Sequence, residues 1–139
     1  MRYCVAHLDE IAPVGVEPRS GIRDWVPVRA ELGIKSFGVN AFVAREAGDL
    51  LIEEHDERVS GHEELYLVFS GEARFTIEGQ EVPAQTGSLI FVRDPAVRRR
   101  ATALSGGTTL LAVGGTPGKP FETTHWETGT RSTYGRRSS

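Results

Sequence analysis

The chain has 139 residues, a formal net charge of −3 at pH 7 and a pI near 5.8. This length fits one domain that buries roughly two thirds of its unfolded-chain surface. Without a basic excess, nucleic acids and anionic membrane surfaces are not expected as partners, and no apolar segment is long enough to span a membrane. A small molecule or another protein is the more expected partner. The single cysteine, Cys4, cannot form an intramolecular disulfide, so we expect a cytoplasmic protein.

The N-terminal region, residues 1–36, is predicted to be an arm that packs on the rest of the domain. Prolines and glycines interrupt its apolar pieces, which leaves room for one strand near residues 3–8. The pattern over residues 25–32 favours one or two helical turns, because Gly33 follows as a C-terminal cap.

The central region, residues 37–115, has the pattern of an all-β domain. Glycine-containing turn signals recur at intervals of about ten residues or less. The intervals between them predict eight strands, at residues 37–46, 49–54, 62–69, 72–78, 80–84, 87–92, 98–103 and 108–113. Many short, closely spaced strands indicate a sandwich or barrel. Residues 116–139 form a polar extension, and we expect the last nine to be disordered.

The strand at residues 62–69 contains an ionisable pair at its start. Side chains two residues apart share one face of a strand, so His62, Glu64 and Tyr66 point to the same side. The apolar run that follows predicts a strand covered on both faces, with the Glu64 carboxylate directed inwards. A buried carboxylate requires a partner, since an unpaired one costs several kcal/mol.

Several residues together resemble the two-motif layout of the cupin family of small β-barrels. Glu64 is followed after six residues by Gly71, and a second set contains Gly79, Gly87 and Pro95. The resemblance covers residues 38–114 and implies an antiparallel β-barrel of the jelly-roll type. It also implies a homodimer and a divalent metal inside the barrel, held by a His-x-His pair before the glutamate and a histidine after the second motif.

The sequence departs from this pattern at the ligand positions. Arg58 and Ser60 stand where the paired histidines are expected, and Arg98 stands at the place of the last histidine. Arginine is always protonated and cannot coordinate a metal, but it forms bidentate contacts with carboxylates. We therefore expect no cofactor and predict an ion pair between Glu64 and Arg98.

The first functional hypothesis is a cupin-like domain that binds a small organic molecule, for which the arginines suggest an anionic group. The predicted ligand-binding residues are His62, Glu64, Tyr66, Arg98 and Arg100. Whether the domain is an enzyme is left open at this stage.

Two alternatives use other features. His55, His62 and Glu64 together offer three ligands for Zn, Fe, Mn or Ni, which would make the chain a metal-dependent oxygenase or isomerase. Alternatively, the barrel is filled by side chains and serves as a structural or regulatory dimerisation module. On the far face of the strand, Leu65, Leu67 and Phe69 need a cover, which either the N-terminal arm with Trp25 or a second subunit would provide. The resemblance to cupins favours the second subunit and so a homodimer.

Overall fold

The structure is a computed structural model that describes residues 2–15 and 23–123. The predicted disordered end, residues 131–139, lies outside the described residues. Ten strands are present in the described ranges: β1 (Val14–Gly15), β2 (Arg23–Val26), β3 (Gly38–Ala44), β4 (Leu50–His55), β5 (Glu63–Ser70), β6 (Glu72–Ile77), β7 (Gln80–Gln85), β8 (Leu89–Val92), β9 (Arg99–Ala103) and β10 (Thr109–Gly115).

The eight predicted strands are confirmed as β3 to β10, each within two residues at either end. The short helix is also confirmed, as α1 (Val28–Leu32), and Gly33 ends it with a φ of 71°. The N-terminal prediction is wrong: residues 3–7 form no strand, Leu8–Glu10 form one 3-10 turn, and the arm contributes β1 and β2 instead. In the described ranges, no helix has the length and apolar character needed to cross a membrane.

The strands form two antiparallel sheets that face each other. The larger sheet has the order β1-β2-β3-β10-β5-β8, and the smaller has the order β4-β9-β6-β7. The predicted all-β jelly-roll is confirmed, with one qualification: the two sheets are not closed into a continuous barrel.

The core lies between the sheets and follows the two-residue period of the strands. Its largest fully buried apolar side chains include Trp25, Tyr66, Phe75, Leu51 and Leu110. A second apolar cluster covers the outer face of the larger sheet near β3, where the arm and α1 pack; its buried members are Ile11, Val26, Val28, Val39 and Ala41. The arm is therefore part of the folded domain.

The outer face of β5 and β8 has no such cover among the described residues. Phe69 is 58% exposed, Leu89 is 65% exposed and Phe91 is 45% exposed. The arm does not supply the cover predicted for the second face of β5, because it packs on the outer face near β3, and β8 is the edge strand of its sheet. A second subunit as the cover of this face stays a prediction.

Candidate functional site

Five ionisable side chains meet at one end of the space between the sheets. His55 ends β4 and is in register with Arg99 at the start of β9. Glu64 and Tyr66 lie at the start of β5 in the opposite sheet, and Glu57 follows β4 in a loop. Antiparallel pairing brings the end of β4 to the start of β9. The start of β5, in the opposite sheet, lies at the same rim, where Oε1 of Glu64 is 3.9 Å from Nε2 of His55. Two surface depressions lie elsewhere, one along Arg2–Val5 and one beside Leu104, and neither includes these five side chains.

Glu64 points inwards, as its position in the strand predicts. Its side chain is 18% exposed, and the hydroxyl of Tyr66 donates a hydrogen bond to its Oε1 atom. Burial raises the pKa of the Glu64 carboxyl, the charge of Glu57 adds to the rise, and the bond from Tyr66 opposes it. Burial and the neighbouring carboxylate likewise raise the pKa of Tyr66 well above its usual value. Glu64 therefore holds its proton more readily than an exposed glutamate.

His55 and Glu57 form a close ion pair at the rim. The Nε2 atom of His55 is 2.9 Å from Oε2 of Glu57, and its Nδ1 atom is 2.7 Å from the carbonyl oxygen of Glu53. A backbone carbonyl only accepts, so Nδ1 is the donor to Glu53, and a proton on Nε2 would complete the ion pair with Glu57. Burial lowers the pKa of His55, but these hydrogen bonds outweigh burial and raise it overall. Burial conversely raises the pKa of Glu57, but the bonds from His55 and Ser60 lower it overall.

Arg99 is the residue that the sequence prediction missed. Its side chain is fully buried, and none of its nitrogens Nε, Nη1 and Nη2 has a hydrogen-bond partner among the described residues. It shares the inner face of β9 with Ala101 and Ala103, which are core residues. Buried polar groups are nearly always hydrogen-bonded, so three unpartnered nitrogens on one buried cation suggest a place where a ligand or water could bind.

The predicted pair between Glu64 and Arg98 is wrong. The Arg98 side chain is 51% exposed and forms ion pairs with Glu54 at 3.1 Å and with Asp56 at 3.7 Å. Arg100 is exposed on the outer face of β9. The alignment that assigned Arg98 to the interior was off by one residue, and in a strand such a slip moves every side chain to the opposite face.

His62 lies beside the cluster, where the chain enters β5. Its Nδ1 atom is 3.8 Å from Oε1 of Glu57, and its ring stacks on Phe121 with centroids 5.4 Å apart. Phe121 comes from the segment after β10. A Cβ atom added to Gly38 would lie 2.9 Å from the Phe121 ring, so the ring occupies the space of a side chain at that position. Residues beyond the last strand thus form part of the wall around the site.

The structure brings together a donor set that differs from the predicted one. Atoms of His55, Glu57 and Glu64 lie within 4.8 Å of one another, a group that could hold a metal ion. The prediction named His62 in place of Glu57. Glu57 was missed because it lies in a loop, where strand periodicity gives no direction to a side chain.

Comparison with solved structures gives the class of the fold: the chain has a cupin fold. No family model matches the sequence, and no curated protein is significantly similar to it.

Three solved structures illustrate the similarity. A predicted oxalate decarboxylase from Thermotoga maritima has a TM-score of 0.67 and 19% identity, over 81% of this chain and 99% of that one. A sugar phosphate isomerase of the cupin superfamily from Silicibacter pomeroyi has a TM-score of 0.66 and 19% identity, over 81% of this chain and 75% of that one. A candidate sugar phosphate isomerase from Acidithiobacillus ferrooxidans has a TM-score of 0.57 and 20% identity, over 68% of this chain and only 59% of that one. At such identities the likeness establishes the fold alone.

The cluster combines a buried cation with groups that can exchange protons. Arg99 can bind an anionic group, while Glu64 and the His55–Glu57 pair can donate or accept protons beside it.

We expect Glu64→Gln to remove a pH-dependent loss of stability. A carboxyl whose pKa is raised by folding binds its proton more tightly in the folded state, so stability falls as pH rises from the unfolded value near 4.5 through the folded pKa. Each unit of difference corresponds to about 1.4 kcal/mol. Urea unfolding should therefore show Glu64→Gln gaining on the wild type as pH rises from 4 to 8. Glu81→Gln, whose side chain is 66% exposed in the wild type, is the control; a pH-independent difference for Glu64→Gln would contradict the expectation.

Proposed function

We propose that the chain binds a small organic anion between its two sheets, with the guanidinium of Arg99 receiving the negatively charged group. The observation that carries the proposal is the full burial of Arg99 without a hydrogen-bond partner in the described residues. A guanidinium presents five donors in a planar fork that matches a carboxylate or a phosphate. A bound anion would satisfy these donors and neutralise the buried charge.

The charges around Arg99 are compatible with an anion. Glu57 is paired with His55, and this contact raises the pKa of the imidazole and lowers that of the carboxyl. Burial and the Glu57 charge raise the pKa of Glu64, so this carboxyl resists ionisation. The guanidinium charge is therefore only partly compensated, and a further negative charge is attracted.

The similar structures add support of a weaker kind. Two are described as sugar phosphate isomerases and one as a predicted oxalate decarboxylase. Sugar phosphates and oxalate are both small organic anions. This chain need not share either substrate for the proposal to hold.

The test uses two neighbouring arginines that lie on opposite faces. The full-length wild type, Arg99→Met and Arg98→Met are each heated with oxalate or inorganic phosphate, and with sodium chloride at the same ionic strength. A ligand at about 100 times its dissociation constant stabilises the folded state by about 2.7 kcal/mol. We expect oxalate or phosphate to raise the Tm of the wild type and of Arg98→Met and to leave Arg99→Met unchanged. Equal shifts in wild type and Arg99→Met, or no shift beyond that of chloride in the wild type, would refute the proposal.

A divalent cation is the second candidate occupant of the same end of the fold. One imidazole and two carboxylates form a donor set that Zn, Fe or Mn accepts, and a bound ion would supply a Lewis acid there. One feature weighs against it: Arg99 adds a positive charge beside the donors. Elemental analysis of protein purified without a histidine tag decides, since one equivalent of metal per chain would favour the cation over the anion.

A further inference from the structure

A second polar side chain between the sheets has a buried atom without a partner among the described residues. Asn40 is the only asparagine of the chain and is 7% exposed. Its Oδ1 atom has no hydrogen-bond partner among the described residues. The cluster at the rim does not include Asn40, so its burial is not explained by the groups described so far.

The position of Asn40 in β3 directs it inwards. Phe42 and Ala44, at the same parity, belong to the core between the sheets, whereas Val39 and Ala41 belong to the cluster on the outer face. The Asn40 side chain therefore points into the same space as Arg99, from the opposite sheet.

The side chains around Asn40 are small. Across the larger sheet, Asn40 is in register with Ala112, and Ala112 is in register with Tyr66. At a strand spacing of about 4.8 Å, Asn40 and Tyr66 are roughly 10 Å apart along the sheet, with only a methyl group between them. One row nearer the rim, Gly38, Gly114 and Glu64 are in register, and the ring of Phe121 fills the space beside Gly38.

Asn40 and Arg99 therefore place buried polar atoms without a partner among the described residues on the inner faces of opposite sheets. Facing sheets are separated by about 10 Å, so a molecule that is held by Arg99 and extends across this gap would meet Asn40. An amide can donate through nitrogen and accept through oxygen. A hydroxyl group suits it in either orientation of the amide, because a hydroxyl both donates and accepts.

We propose that Asn40 hydrogen-bonds a hydroxyl group of the anion that Arg99 holds, so that the site selects hydroxylated anions, namely polyhydroxy carboxylates or sugar phosphates. This inference rests on the proposed function and adds the substrate class to it. Asn40 is a specificity-determining residue in this arrangement, and Arg99 provides the affinity for the charged group.

The test compares matched ligands that differ in their hydroxyl groups. Gluconate is paired with hexanoate, and glucose 6-phosphate with hexyl phosphate; binding to the full-length chain is measured by calorimetry. Both polyhydroxy ligands carry hydroxyls on most of their carbons, so the position that meets Asn40 need not be known. Apolar burial favours the members without hydroxyls, which biases the comparison against the proposal. The pair that binds identifies the charged group as carboxylate or phosphate.

We expect the hydroxylated member to bind the wild type about tenfold more tightly, the size of effect expected when a hydrogen bond satisfies a buried acceptor. In Asn40→Leu, which has a similar volume and no polar group, the preference should fall to about twofold or less. Asn40→Thr retains a hydroxyl and a strand-forming side chain, and should recover part of the preference if the loss is due to hydrogen bonding.

The outcomes separate this inference from the proposed function. Equal binding of both members by the wild type, or a tenfold preference that survives in Asn40→Leu, overturns the role of Asn40 and leaves anion binding at Arg99 in place. Binding that is unchanged in Arg99→Met, or absent for all four ligands together with oxalate and phosphate, overturns both.

Discussion

Replacing Arg99 with methionine should raise the free energy of unfolding of the ligand-free protein by about 1 kcal/mol or more, because a buried ion without a hydrogen-bonded partner carries a desolvation penalty of several kcal/mol. Arg99 is fully buried and has no hydrogen-bond partner in the described residues. Methionine removes the charge and keeps much of the apolar stem. The loss of attraction to the two glutamates opposes this gain, but Glu57 retains the His55 ion pair and Glu64 can take up a proton.

Urea unfolding at pH 7 without added anions measures this effect, and Arg98→Met is the matched control. The Arg98 side chain is 51% exposed and contacts Glu54 at 3.1 Å, so its replacement should change stability by no more than about 1 kcal/mol. A loss of about 3–5 kcal/mol in Arg99→Met is the cost of stranding the partner of a buried ion pair. That result would mean that Arg99 is neutralised by the glutamates and is not free for a ligand.

Gly71→Ala should lower the free energy of unfolding by roughly 2–4 kcal/mol, the sum of a left-handed backbone penalty and overpacking. Gly71 has a φ of 84°, and an added Cβ would lie 2.8 Å from the Cα atom of Thr108. Thr108 is fully buried, and its Oγ1 atom donates to the Ser105 carbonyl at 2.7 Å. The clash is with backbone, so no side-chain rotation can relieve it.

Gly79→Ala separates the two contributions. Gly79 has a φ of 78°, but nothing lies within 4 Å of an added Cβ. This substitution should lose only the conformational part, about 1 kcal/mol. Chemical denaturation of both variants is sufficient, and equal losses would contradict the role given to Thr108.

The predictable part of this protein is the part that strand periodicity and turns encode. Glycine-containing turns divided the chain into β3 to β10 with small errors, because turns require residues with particular backbone freedom. The inward direction of Glu64 and Tyr66 followed from the alternation along β5. The two strands of the arm were not predicted, since β2 is stabilised by pairing with β3 across the intervening helix, which no local pattern indicates.

The chemistry of the site was harder to predict than its location. Three consecutive arginines, Arg98 to Arg100, give no hydrophobic contrast of their own, so only their register decides which one is buried. Ala101 and Ala103 could have identified the buried arginine. They alternate with Thr102, and the same two-residue period places Arg99 on the buried face with the two alanines. Asn40 gave no signal at all, since a single polar residue within an apolar strand does not reveal whether it has a partner.

Phe121 contacts three parts of the chain that are far apart in sequence. Its ring lies against Gly38 at the start of β3, against His62 before β5, and 5.7 Å from the guanidinium carbon of Arg29 in α1. A chain cut after β10 would therefore lose a shared anchor for three elements, although the ladders of both sheets would remain intact. The folded domain therefore extends beyond its last strand, at least to Phe121.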